Sequence, residues 1–103
     1  MRIFLYTSFF LFNLINLRHA EAATIYNTSV TSAGVQGSGA YFSINSTLSP
    51  GCLYSILYIT DLNVNGKFLY ANVLSAYSIG RQLIRVDYTV QSDGTCIVSL
   101  INY

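Results

Sequence analysis

The chain has 103 residues, of which 52% are hydrophobic and 9% charged, with five Lys/Arg against four Asp/Glu. A chain this short builds one small domain. It has no basic face with which to release counterions from phosphates, which excludes a nucleic-acid binder.

In chain order, Arg2 and the apolar run from Ile3 to Leu17 form the charged and hydrophobic parts of a secretory leader. Ala20-Glu21-Ala22 puts small residues at the positions the peptidase inspects, so cleavage is expected before Ala23. The alternative is a retained anchor. A spanning helix needs about 20 apolar residues, and this run is shorter and stops at Arg18 and His19. The expected organisation is therefore residues 1–22 as signal peptide and 23–103 as a single secreted or periplasmic domain. No second long apolar segment follows, so no membrane span is expected after cleavage.

Residues 24–33 are rich in Thr, Val, Ile and Tyr and read as a first strand. Gly34, Gly37 and Gly39 mark a turn region. Residues 40–46 alternate, with Phe42 and Ile44 on one face and Tyr41, Ser43 and Asn45 on the other, as a half-buried strand does. Ser49-Pro50-Gly51 breaks the chain before 52–60, a run apolar on both faces that reads as a covered central strand. After a break at Asn63, Asn65 and Gly66, residues 67–79 carry Leu69, Val73 and Ala76 at helical spacing. Phe68, Leu74 and Tyr77 widen that stripe into a mostly buried helix, and Gly80 sits where a left-handed cap belongs.

Residues 82–90 alternate again, placing Ile84, Val86, Tyr88 and Val90 opposite Arg85 and Asp87. Asp93-Gly94 signals a hairpin. A two-residue turn there pairs Ser92 with Thr95, stacks Ile97 and Ile101 beside the Ile84–Val90 face, and sends Cys96, Val98 and Leu100 to the Arg85/Asp87 face. That second face would need a helix or a neighbouring subunit to cover it. The predicted fold is mainly β with one helix, in the order β-β-β-α-β-β, which is the element order of a small five-stranded OB-like barrel.

A domain of this size is marginal without a staple. In an oxidising compartment a Cys52–Cys96 disulfide is the natural reading, closing a loop of about 44 residues and contributing roughly 4 kcal/mol. Free thiols or an intermolecular bridge are the alternatives. Two cysteines with no nearby histidine fall short of a structural zinc site, so neither metal nor cofactor is expected.

Past the leader the chain keeps no histidine and no glutamate. Lys67, Arg81 and Arg85 balance Asp61, Asp87 and Asp93. General acid–base or nucleophilic catalysis needs a base that this set does not supply, so the chain reads as a non-enzyme. Tyrosine is abundant instead, eight past the leader with no tryptophan. Beside Ser, Asn and Thr it makes surfaces that stack on sugars and bond their hydroxyls. Tyr54, Tyr58 and Tyr70 are expected to fill the core, while Tyr41, with Ser43 and Asn45 on its face, is the surface candidate. Arg85 and Asp87 share a strand face and could contact each other or a partner. Asn27-Thr28-Ser29 and Asn45-Ser46-Thr47 match the N-glycosylation pattern.

The stretch from Gly66 to Val86, with Gly94-Thr95-Cys96 after it and Pro50-Gly51-Cys52 before it, resembles a group of small exported bacterial proteins sharing this helix, strand and Gly-Thr-Cys turn. The same helix–Gly–strand pattern is similar to the B subunits of pertussis-like and subtilase-type AB5 toxins. That resemblance implies a disulfide-bonded OB fold, a pentameric ring and a host-glycan ligand, with Tyr88 near a glycan-contacting tyrosine. The expected function is thus an exported module binding a glycan or protein ligand as a possible homo-oligomer. The alternative is a standalone periplasmic or surface protein with a structural, inhibitory or protein-partner role.

Overall fold

A computed structural model describes residues 20–103; the predicted leader otherwise lies outside the described residues. Six strands form one sheet: β1 (Glu21–Thr28), β2 (Val30–Gln36), β3 (Gly39–Ile44), β4 (Leu57–Ile59), β5 (Leu83–Val90) and β6 (Cys96–Asn102), with helix α1 (Val64–Ile79) between β4 and β5. The sheet order is β1-β5-β6-β4-β3-β2. All pairings are antiparallel except β4 with β6, which run parallel through only two residue pairs, Leu57 with Cys96 and Tyr58 with Ile97. No helix among the described residues is long and apolar enough to cross a membrane.

The expected first strand is two strands. β1 and β2 lie at opposite ends of the sheet order, yet only Ser29 separates them in the chain. The bend is fixed by bonds a sequence pattern does not carry. The Ser29 amide donates to Asn45 Oδ1 and the Asn45 amide donates back to the Ser29 carbonyl, each at 3.0 Å. Thr28, fully buried, holds Ser46 through their hydroxyls at 2.7 Å. β2 then continues through Gly34, so the turn is confined to Gly37 and Ser38. β1 already starts at Glu21, and the predicted cleavage boundary falls inside it, with Ala22 paired to Thr89.

The apolar run 52–60 is a strand only over Leu57–Ile59. Leu53–Ser55 form a single 3-10 turn in which Tyr54 and Ser55 take left-handed backbone angles of φ 60° and 58°. Those angles turn Tyr54 outward to 77% exposure, against the expectation of a core ring. Tyr70 is buried as expected, while Tyr58 is half-buried on the sheet's outer side.

The core is the inner sheet face closed by α1. Phe42, Leu57, Leu83, Val86, Tyr88, Cys96 and Val73 are each 1% exposed or less. The helix starts three residues earlier than its apolar spacing suggests, because the Asn63 side chain caps it by accepting from the Gly66 amide. Gly66 packs so closely on the Asp61 carbonyl that a Cβ there would collide with the oxygen. Gly80, at φ 70°, ends it as expected. Of the predicted stripe, Val73 and Ala76 are buried with Tyr70; Phe68, Leu74 and Tyr77 are exposed, so the helix lies on the surface with one covered face.

The hairpin loop has three residues, not two. Gln91 donates its amide to the Thr95 carbonyl around Ser92-Asp93-Gly94, with Gly94 at φ 93°. The extra residue shifts the register by one and pairs Val90 with Cys96, which turns Cys96 and Val98 into the core rather than toward Arg85 and Asp87. A bulge opposite Asp87 and Tyr88 restores the parity, so Ile101 is buried while Leu100 faces out. Ile84 is also exposed, and Leu83 takes its place inside. The second apolar face that seemed to need a cover is therefore not formed.

The disulfide joins Cys52 to Cys96 within the chain.

Candidate functional site

The outer sheet face follows from the alternation that buries the inner one. With Ala40 and Phe42 inward on β3 and Leu57 and Ile59 inward on β4, Tyr41 and Tyr58 face out. Register then aligns one residue from each strand into a row, Ala22–Thr89–Ile97–Tyr58–Tyr41–Gly34. The two rings are 6.4 Å apart between centroids and tilted by 54°. Gly34 completes the row because any Cβ there would fall onto the Tyr41 ring, so the ring lies over bare backbone.

Hydroxyl groups border these rings. Ser43, next to Tyr41 on the same face, bonds Thr31 at 2.8 Å and also Ser32. On the other side of Tyr58 a depression of about 520 Å³ is bounded by Gln36, Ser38, Thr60, Thr95 and Ile97, with no charged side chain in its lining. A smaller depression of about 340 Å³ lies apart from this, against Cys52, with Ser46, Thr47 and Ser55 on its wall.

The sequence-predicted site residues do not converge. Tyr41 and Ser43 belong to the tyrosine face. Asn45 is committed to the bend, its Oδ1 accepting from Ser29 and, at 3.2 Å, from Thr28. Arg85 and Asp87 sit on β5, three strands from Tyr41, or about 14 Å at ordinary strand spacing. They contact each other: Arg85 Nε and Nη2 donate to Asp87 Oδ1 and Oδ2, both at 3.0 Å, and Thr24 donates to Oδ1 at 2.8 Å. Tyr88 is 1% exposed and donates its hydroxyl to the Pro50 carbonyl at 3.1 Å, so it is enclosed in the core. Tyr58, which the sequence reading placed in the core, is the residue it missed. Knowing the pairing of 40–46 with 52–60 would have set it opposite Tyr41, but the second run is apolar on both parities and hides its outer face.

Asp87 and Asp93 are each held by local hydrogen-bond donors. The Arg85 guanidinium holds the Asp87 carboxyl below the usual aspartate range, and the Thr95 amide and hydroxyl do the same for Asp93. Because both folded-state values are depressed, the stability these groups contribute is complete above the unfolded aspartate value near 3.9 and fades as pH falls through the lower folded values. Carboxyl titration by NMR is expected to give Asp87 and Asp93 midpoints below that of a model aspartate. Arg85→Ala should return Asp87 toward it and leave Asp93 unmoved; an Asp87 midpoint insensitive to Arg85 would refute the pairing.

Stacking on two rings and exchange of neutral hydrogen bonds is the chemistry this face can perform. Among the described residues no three His, Cys, Asp or Glu side chains come together as metal ligands would. Comparison of the chain with protein-family models, curated proteins and solved structures finds no match in any of the three.

Proposed function

We propose that the chain is a non-enzymatic exported binding module, an OB-like barrel whose outer tyrosine face takes a carbohydrate. The observation that carries this reading is the Tyr41–Tyr58 pair, flanked by the Ser43–Thr31–Ser32 hydroxyl cluster on one side and an uncharged depression on the other. Sugar rings present C–H faces that stack on tyrosine and hydroxyls that both donate and accept, and such a ligand needs no opposing charge. Support for the barrel comes from the strand order. Its two end strands are consecutive in the chain, so β1 and β2 act as one long strand that bends at Ser29 to serve both edges. β3 and β4 then correspond to the OB strands whose face binds oligosaccharides and oligonucleotides, and the absence of any basic stripe favours the former.

The test is a glycan array probed with the exported protein and with Tyr41→Ala and Tyr58→Ala. Binding that falls at least about tenfold in either variant is expected, since a stacked ring contributes on the order of 1–3 kcal/mol. An array without signal, or signal indifferent to both substitutions, would sink the reading.

A further inference from the structure

We infer that α1 is the contact surface for a second copy of this chain, paired antiparallel along the helix's outer face. Large apolar residues lie on both sides of the helix, yet the sheet covers only the side carrying Gly66, Tyr70, Val73 and Ala76. On the side away from the core, Val64, Phe68, Ala71, Ser75 and Ile79 recur at spacings of four, three, four and four, so they form one straight stripe. Val64, Phe68 and Ile79 are 70%, 68% and 64% exposed. The stripe is about 22 Å long, with Val64 and Phe68 one turn apart at one end, Ile79 at the other, and the small Ala71 and Ser75 between them.

Two features select a second copy over another partner, and antiparallel over parallel. First, the stripe is its own complement when reversed about Ala71 and Asn72: Val64 meets Ile79, and Phe68 meets Ser75. Each large side chain then lies over a small or aliphatic one, the knob-and-hole matching that a two-fold helix pair requires, and Ala71 at the crossing allows close approach. A parallel pair would stack Phe68 on Phe68 and leave Ser75 facing Ser75. Second, the charges complement only in the antiparallel sense. Lys67 flanks the stripe near the helix N-terminus, where the dipole is positive and no acidic residue answers it, and the last turn holds no basic residue. Arg81, just beyond, is turned onto the Tyr103 ring at 5.0 Å. Reversal brings each Lys67 beside the partner's last turn, the negative end of its dipole. Such a pair buries on the order of 1,000 Å² in total, the size of weak and transient interfaces, so the dimer is expected to dissociate on dilution. The tyrosine face belongs to β3 and β4 and is left open in both copies.

The experiment is sedimentation velocity of the exported protein over a concentration series, with Phe68→Ser and with single cysteines at the stripe. A monomer–dimer equilibrium is expected, weakened at least about tenfold by Phe68→Ser, an exposed position whose change leaves the core intact. Ala71→Cys, at the crossing, should form a covalent dimer on mild oxidation. Val64→Cys should not, because its counterpart lies at the far end of the partner's helix. A monomer at all concentrations, a larger ring, or a dimer unaffected by Phe68→Ser overturns the proposal. Cross-linking of Val64→Cys as fast as Ala71→Cys overturns the antiparallel pairing.

Discussion

Replacing Cys52 and Cys96 together by alanine is expected to remove about 4 kcal/mol of stability, most of what a domain of this size holds. The bridge closes a separation of 44 residues, which sets the entropic part of that figure. Its position adds to it. The sheet consists of two antiparallel halves, β1-β5-β6 and β4-β3-β2, whose strands pair with each other only where β4 runs parallel to β6 through two residue pairs. Cys96 is one member of those pairs and is wholly buried, so the bridge ends at the weakest ladder in the sheet. Cys52 also leads directly into the turn where Tyr54 and Ser55 hold left-handed angles, each costing on the order of 1–2 kcal/mol. Thermal denaturation should show the midpoint falling by roughly 15–30 °C in the variant or under reductant. Hydrogen exchange should show protection lost in β4 and β6 before β3 and β5. A midpoint lowered by only a few degrees would mean the core holds the two halves together without the bridge.

How much of this could be read from the chain depends on where each element's determinants lie. Residues 40–46, the body and end of the helix, and the existence of the final hairpin were readable because alternation, helical spacing, Gly80 and Asp93-Gly94 are local signals. The bend at Ser29 was not, because Ser29 is compatible with a continuous strand and only bonding to Asn45 breaks it. The turn at Leu53–Ser55 lacks the glycine or asparagine that usually announces a positive φ, so a disulfide-anchored turn passed for strand. One extra loop residue before Thr95 reversed the facing of Cys96 and Val98, since strand periodicity is two and any odd shift inverts it. The helix posed the opposite difficulty. Its apolar residues surround the axis, so the sequence does not say which side meets the sheet, and Phe68, expected in the buried stripe, faces out.

Tyr88 is the residue for which stability and ligand binding give opposite expectations, and both can be measured on the same variants. It is the largest fully buried side chain among the described residues, central in β5, paired with Ala23 and Val98. Burial raises its phenol's pKa, as a ring removed from water requires. Tyr88→Ala removes that ring from a packed core and is expected to cost about 3–5 kcal/mol. Tyr88→Phe keeps the packing and removes only the hydroxyl that donates to Pro50, which should cost about 1 kcal/mol. Were Tyr88 instead a ligand contact, as the toxin-subunit resemblance implies, Tyr88→Phe would leave stability nearly untouched and reduce glycan retention. The folded Tyr88→Phe protein is expected to lose stability in chemical denaturation and to retain the ligand of the parent, whereas Tyr41→Ala reverses that pattern. The pair of variants separates a ring that builds the domain from one that the domain displays. An equal loss of binding in both would move the site from the outer face of β3 and β4 toward the Pro50 loop.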